Sequence, residues 1–179
     1  MRKDVLTMNA KLNTSDLEIT PLTMAVLAEP DEYGNISTRV LEDNNEYVVN
    51  ATPSKVIDDA CRFFGADLKG RQEGARDVCG FTHKAPIAID SYSGMYFFPT
   101  ASPRIATCSW FAHTHIIGLN DLKHHGTEIV FNNDKKVIVN VSYGSMKNQV
   151  YRTAQFRFLL NNRITSLGFD PRPDLDPFS

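Results

Sequence analysis

The sequence predicts a single compact α+β domain, mainly antiparallel β-strands with two amphipathic helices. Three observations carry that reading. Short runs of β-branched and aromatic residues recur along the chain, separated by Asn, Asp and Gly turns. Two longer segments instead repeat their apolar residues at three- and four-residue steps. The 179 residues are 42% hydrophobic, with eleven Phe and six Tyr, which is enough to fill one core.

Residues 1–16 are polar and acid-rich and are expected to form a flexible arm ahead of a folded domain spanning 17–165. Strands are predicted at Thr23–Leu27, Ser37–Leu41 and Glu46–Asn50, the last two joined through Asp43-Asn44-Asn45. A helix then starts sharply. Thr52 suits the N-cap, and Pro53 suits the first helical position, where a missing N–H costs nothing. Val56, Ile57, Ala60, Cys61 and Phe64 share one face, and Gly65 stops the helix. A glycine-punctuated linker follows (Gly65, Gly70, Gly74). Strands resume at Pro86–Asp90, Met95–Phe98, Cys108–Ile117, Thr127–Phe131 and Lys136–Asn140, the last two forming a hairpin across Asn132–Lys135. The second helix spans roughly Ser145–Asn161, with Met146, Val150, Ala154 and Phe158 as its apolar stripe. At 100° per residue Arg152 and Arg163 fall off that stripe, near Gln149 and Phe156. Arg157 falls inside it and must snorkel or mark a site. The acidic, Pro-rich tail 166–179 cannot continue a helix and is expected to be extended or disordered.

Charge is segregated. Residues 1–51 hold four bases and nine acids, net −5, whereas residues 52–165 hold fourteen bases and nine acids, net +5. Between Lys135 and Phe169 there are six bases (Lys135, Lys136, Lys147, Arg152, Arg157, Arg163) and no acid. A separated positive zone suits an anionic partner, and it also suits a merely solvated surface. On the first helix, Lys55 with Asp59 and Asp58 with Arg62 read as salt bridges. Lys69, Arg71 and Arg76 alternate with Asp67, Glu73 and Asp77, which weakens the linker as a basic patch.

The chemistry of catalysis is thinly represented. Three cysteines with no Cys-x-x-Cys fit a reducing, cytoplasmic setting, and no metal or cofactor is expected because Cys61, Cys79, Cys108 and His83 lack ligand spacing. His113-x-His115 on a strand would place both imidazoles on one face. Cys108 sits ahead of Trp110 in a buried strand, where a thiol is inert. No Gly-x-Ser-x-Gly, Walker loop or His-Glu-x-x-His occurs. An enzyme is not expected. Neither a signal peptide nor a membrane-spanning run is read from the sequence.

Several strings occur in a telling order: Cys61-Arg62-Phe63-Phe64-Gly65, Gly70-Arg71, His83-Lys84-x-Pro86-Ile87, Phe97-Phe98-Pro99-Thr100, Cys108-x-Trp110-x-x-His113-x-His115, and Asn148-Gln149-Val150-Tyr151-Arg152-Thr153-Ala154. Over roughly residues 18–164 the chain resembles the ComK family of competence transcription factors. Ala85-Pro86 stands where the family pattern has Pro-Pro. The resemblance implies a cytoplasmic, DNA-binding activator of DNA-uptake genes that recognises A/T-rich double-stranded DNA through the minor groove and binds as a homo-oligomer. Lys147, Arg152, Arg157 and Arg163 are the expected DNA contacts, with Arg71 and Lys84 as secondary ones. The family extends further past the second helix, into a segment read by a proteolytic adaptor, where this sequence has Asp170–Ser179. The alternative is therefore a shortened paralogue, a protein-interaction module that modulates a full-length ComK relative.

Overall fold

The computed structural model describes residues 19–168, so the expected arm at 1–16 and the tail from 169 onward lie outside the described residues. Strands β1 (Thr23–Pro30), β2 (Ile36–Glu42), β3 (Glu46–Val49), β4 (Ile87–Asp90), β5 (Met95–Pro99) and β6 (Trp110–Ala112) form one sheet in the order β3-β2-β1-β6-β5-β4. All five pairings are antiparallel. Strands β7 (Ile116–Asp121), β8 (Thr127–Phe131) and β9 (Lys136–Val139) form a second antiparallel sheet. The β8–β9 hairpin turns where expected, closed by Phe131 N–H donating to the Lys135 carbonyl at 2.9 Å.

Alternation along the strands builds the core, because successive side chains leave a sheet on opposite faces. Val26, Val40, Ile87, Ile89, Phe97 and Trp110 point toward helix α1 (Pro53–Phe63), meeting its Val56, Ile57, Ala60 and Cys61. The intervening Ala25, Leu27, Leu41, Phe98 and Phe111 point the other way, onto Ile129 and Phe131 of β8. The rings of Phe98, Phe111 and Phe131 stack in sequence, with centroids 6.0 and 6.2 Å apart. The result is a layered α+β domain: α1, the six-stranded sheet, and a third layer of the small sheet beside the C-terminal helix. On α1 the expected Lys55–Asp59 and Asp58–Arg62 ion pairs both form.

The segment after α1 is not a linker but a helix, α2 (Leu68–Cys79). Two internal glycines each disfavour a helix by about 1 kcal/mol relative to Ala. Caps offset them: Asp67 accepts from Gly70 N–H at 2.7 Å, and Gly80, at φ 74°, closes the C-terminus. Only Ala75 of α2 is fully buried, among Ala85, Ala88, Tyr96 and Phe156, so the sequence carries almost no apolar stripe there.

The expected strand Cys108–Ile117 is also interrupted. The chain leaves the large sheet at Ala112, makes a 3-10 turn over His113–His115, and enters the small sheet at Ile116, whose N–H bonds to the His113 carbonyl. The two histidines consequently do not share a strand face. His115 Nε2 hydrogen-bonds with the Pro21 carbonyl at 2.7 Å, while His113 is half-buried with no partner on Nδ1.

The last helix, α3, runs from Tyr143 to Ser166, longer than the sequence suggests, because Ser142 caps it by accepting from Ser145 N–H at 3.3 Å. Its buried face is Met146, Gln149, Thr153 and Phe156, not the expected Met146, Val150, Ala154 and Phe158. Steps of four advance 400°, so a stripe built only of such steps drifts 40° each time, and Phe158 ends 64% exposed. The true face alternates steps of three and four, and its two central members are polar. No helix among the described residues is long and apolar enough to cross a membrane.

Candidate nucleic-acid interface

Helix α3 sorts its cations by angle. On the outward face, Lys147 is exposed, its Nζ 6.0 Å from the Tyr143 ring centroid and 5.6 Å from that of Tyr151. Tyr151 is 62% exposed, and Phe158 continues the same line two turns on. On the flank facing α2, Arg152 donates from Nη1 to Gln149 Oε1 at 2.8 Å and from Nη2 to the His83 carbonyl at 2.6 Å. Its guanidinium lies 4.3 Å from the Phe81 ring centroid, and partial burial pulls its pKa down. Arg163 donates to the Asp77 carbonyl at 3.3 Å. On the opposite flank, Arg157 sits over the Tyr96 ring at 5.5 Å. None of these four bases enters an ion pair among the described residues. The other two members of the acid-free run are tethered across the fold. Lys136 pairs with Glu128 at 3.4 Å, and Lys135 donates to the Glu42 carbonyl at 3.1 Å.

The two secondary candidates separate. Arg71 is carried by α2 rather than by a loop, donates to the Phe64 carbonyl at 3.3 Å, and keeps a buried Nε without a partner. Lys84 lies on the loop between α2 and β4 at φ 47°, a backbone conformation that non-glycine residues rarely adopt. Gln149, 3% exposed, holds this loop. Its Nε2 donates to the Lys84 carbonyl at 3.1 Å and to the Pro99 carbonyl at 2.7 Å. The amide therefore ties the loop after α2 to the loop after β5.

Beside these loops lies a recess of about 500 Å³ whose walls include Arg76, His83, Lys84 and Arg104 and no carboxylate. Sequence reading missed Arg76 and Arg104. Arg76 is interleaved with acids in the sequence, but a helix separates neighbours by 100°, and Lys69 takes Glu73 as its partner at 3.8 Å. Arg104 belongs to no regular element, and no spacing rule reaches it.

Burial pushes every thiol up, with Cys61 reaching about 12, and Cys79 and Cys108 are raised as well. A thiol held protonated is a poor nucleophile. Among the described residues no three His, Cys, Asp or Glu side chains converge as a metal site.

The exposed cations of α3 and of the adjoining loops, without carboxylate partners among the described residues, form a surface suited to an anionic ligand. A family model described as ComK protein matches residues 14–165. The chain is 36% identical over 147 residues to the competence transcription factor of Bacillus subtilis (strain 168), covering 82% of this chain and 76% of that protein. No solved structure matches. The chain belongs to the ComK family, a family of transcription factors and not of enzymes.

Proposed function

We propose that the protein is a sequence-preferring DNA-binding regulator of transcription, which recognises A/T-rich double-stranded sites and activates genes for competence and DNA uptake in the cytoplasm. The observation that carries this reading is the set of α3 cations with no acidic partner, in a chain 36% identical to a competence transcription factor. Lys147, Arg157 and Lys84 are the proposed direct contacts. Arg71, Arg152 and Arg163, already reaching backbone carbonyls, contribute positive field at the same surface.

Recognition is of the minor groove. A major-groove reader clusters Arg, Asn and Gln at one base step, whereas Lys147 and Arg157 stand ten residues apart, about 15 Å along the axis. The narrow groove of A/T tracts carries an enhanced negative potential that attracts Arg and Lys without a hydrogen-bond code. Exposed Phe158 and the C-cap Leu167, farther along α3 than Lys147, supply apolar surface for self-association, and the active species is proposed to be a homo-oligomer. The same surface suits mixed assembly with another ComK-family chain. Fluorescence anisotropy on A/T-rich and G/C-rich duplexes tests the proposal. Tighter binding to the A/T-rich duplex is expected, with competition by distamycin and near-full affinity when I·C replaces A·T. Binding abolished by I·C but indifferent to distamycin would place the contact in the major groove instead.

A further inference from the structure

The recess between the loop after α2 and the loop after β5 has the chemistry of a phosphate seat. Its cations come from three separate places: Arg76 from the last turn of α2, Lys84 from the loop that follows, and Arg104 from the loop beyond β5. None of the three enters an ion pair among the described residues, and no carboxylate lines the walls. Thr82 and Ser102 add neutral hydroxyl donors. Three like charges converging on one space repel one another, and an anion between them relieves that repulsion.

The frame around the recess is built rather than loose. Lys84 holds a left-handed backbone, at φ 47°, with its carbonyl bonded to Gln149. The neighbouring His83 carbonyl is bonded to Arg152 at 2.6 Å. Arg152 in turn donates to the Gln149 oxygen, so the buried amide and the guanidinium act as one clamp. Through its second donor, to the Pro99 carbonyl at 2.7 Å, Gln149 also fixes the start of the strand end that leads to Arg104. Strained backbone held by surrounding bonds is a common mark of pre-organised sites. The acceptor chemistry that three Arg and Lys groups favour is phosphate, which Arg can grip in bidentate fashion.

We propose that this recess seats a phosphate of the DNA backbone, with Arg76, Lys84 and Arg104 as its contacts and Gln149 and Arg152 as the positioning residues that tie the two loops together at the right spacing. The proposal rests on the DNA-binding reading above and deepens it. One phosphate contributes roughly −0.9 to the log–log salt dependence of affinity.

The experiment measures duplex affinity against salt for the full chain, for Arg76→Ala and Arg104→Ala, and for Lys69→Ala, which removes the same charge from α2 outside the recess. Each recess variant should weaken binding on the order of tenfold at 0.1 M salt and flatten the slope by up to about 1. Lys69→Ala should do neither. A second arm titrates inorganic pyrophosphate into isotope-labelled protein and follows the amides of residues 82–85, Ser102 and Arg104. Shifts are expected in the wild type and not in Arg104→Ala. If the wild type binds no duplex but pyrophosphate still moves these amides, the DNA-binding reading fails and the recess is a site for a free phosphate compound. Full duplex affinity in both recess variants, or equal losses in all three, overturns the proposal. Because Arg76 and Arg104 are exposed and unpaired, unchanged melting temperatures separate lost contacts from lost structure.

Discussion

On the flank of α3 that faces α2, arginines meet backbone carbonyls, whereas on the outward face a lysine lies between two tyrosine rings with its ammonium in solvent. Both sets belong to one acid-free run, and in the sequence they look equivalent. The difference is geometric. Arg152 lies about 80° from the centre of the buried arc, close enough to reach loop carbonyls, while Lys147 lies on the far side of the helix. A cation at the margin of a core is drawn into folding, and one opposite the core stays available to a ligand. The two faces therefore respond differently to substitution.

The largest effect is expected at Arg152. Replacement by Ala removes two hydrogen bonds to a charged donor and the stacking on Phe81, at a cost of about 2–3 kcal/mol. For a domain of this size the melting temperature should fall by about 4–10 °C. Duplex affinity should fall as well, because the loop carrying Lys84 loses its clamp. Arg152→Lys keeps the charge but cannot reproduce a planar fork spanning two acceptors, so it should rescue neither property. Full rescue by Lys, followed by calorimetry and anisotropy, would mean that the charge alone matters and that the two faces are alike.

Lys147→Ala should invert that pattern. Its ammonium is exposed and makes only weak ring contacts, so stability should stay within about 0.5 kcal/mol. The salt slope of duplex binding should nonetheless flatten by up to about 1 unit, as one phosphate contact is lost. Arg163→Ala should fall between the two. One exposed 3.3 Å bond to a carbonyl stabilises by about 1 kcal/mol at most. A fall in melting temperature with an unchanged slope would class Arg163 with Arg152, and the reverse with Lys147.

How far each region could be read from the sequence follows the same geometry. Helix α1 was legible because Thr52-Pro53 marks its start and its buried residues are apolar at regular steps, and β8 has the expected bounds. Thr52 marks the start by conformation alone, since its hydroxyl makes no capping bond. Helix α2 was hidden by Gly70 and Gly74 and by burying only Ala75. The inward face of α3 was misplaced because Gln149 and Thr153 occupy its centre, and hydrophobic periodicity cannot detect a polar residue that is buried for its hydrogen bonds. Charge counting found the positive half of the chain. It could not tell that Lys136 would meet Glu128, nor that Gln149 would bring the loops of Lys84 and Arg104 together. The first is made by the register of β8 and β9, and the second by bonds between residues 50 and 65 positions apart.

The smallest effect concerns the third side of α3, where Arg157 faces the Tyr96 ring and His113. Burial, and then the Arg157 charge, hold the His113 pKa below its ordinary value of about 6.5. A depressed folded pKa means that the unfolded chain binds the proton more readily. The neutral imidazole therefore contributes stability above about pH 6.5, and that contribution is lost as the pH falls through the folded value. Melting temperature should decline between pH 7.5 and 5, and His113→Gln should make that decline shallower. Arg157→Ala should shrink it too, since it removes the second of the two causes. The Tyr96 hydroxyl, raised by burial, stays protonated throughout this range and adds nothing to the slope. An equally steep decline in His113→Gln would assign the pH dependence to other groups, and would show that Arg157, like Lys147, carries its charge for a ligand without weighing on the fold.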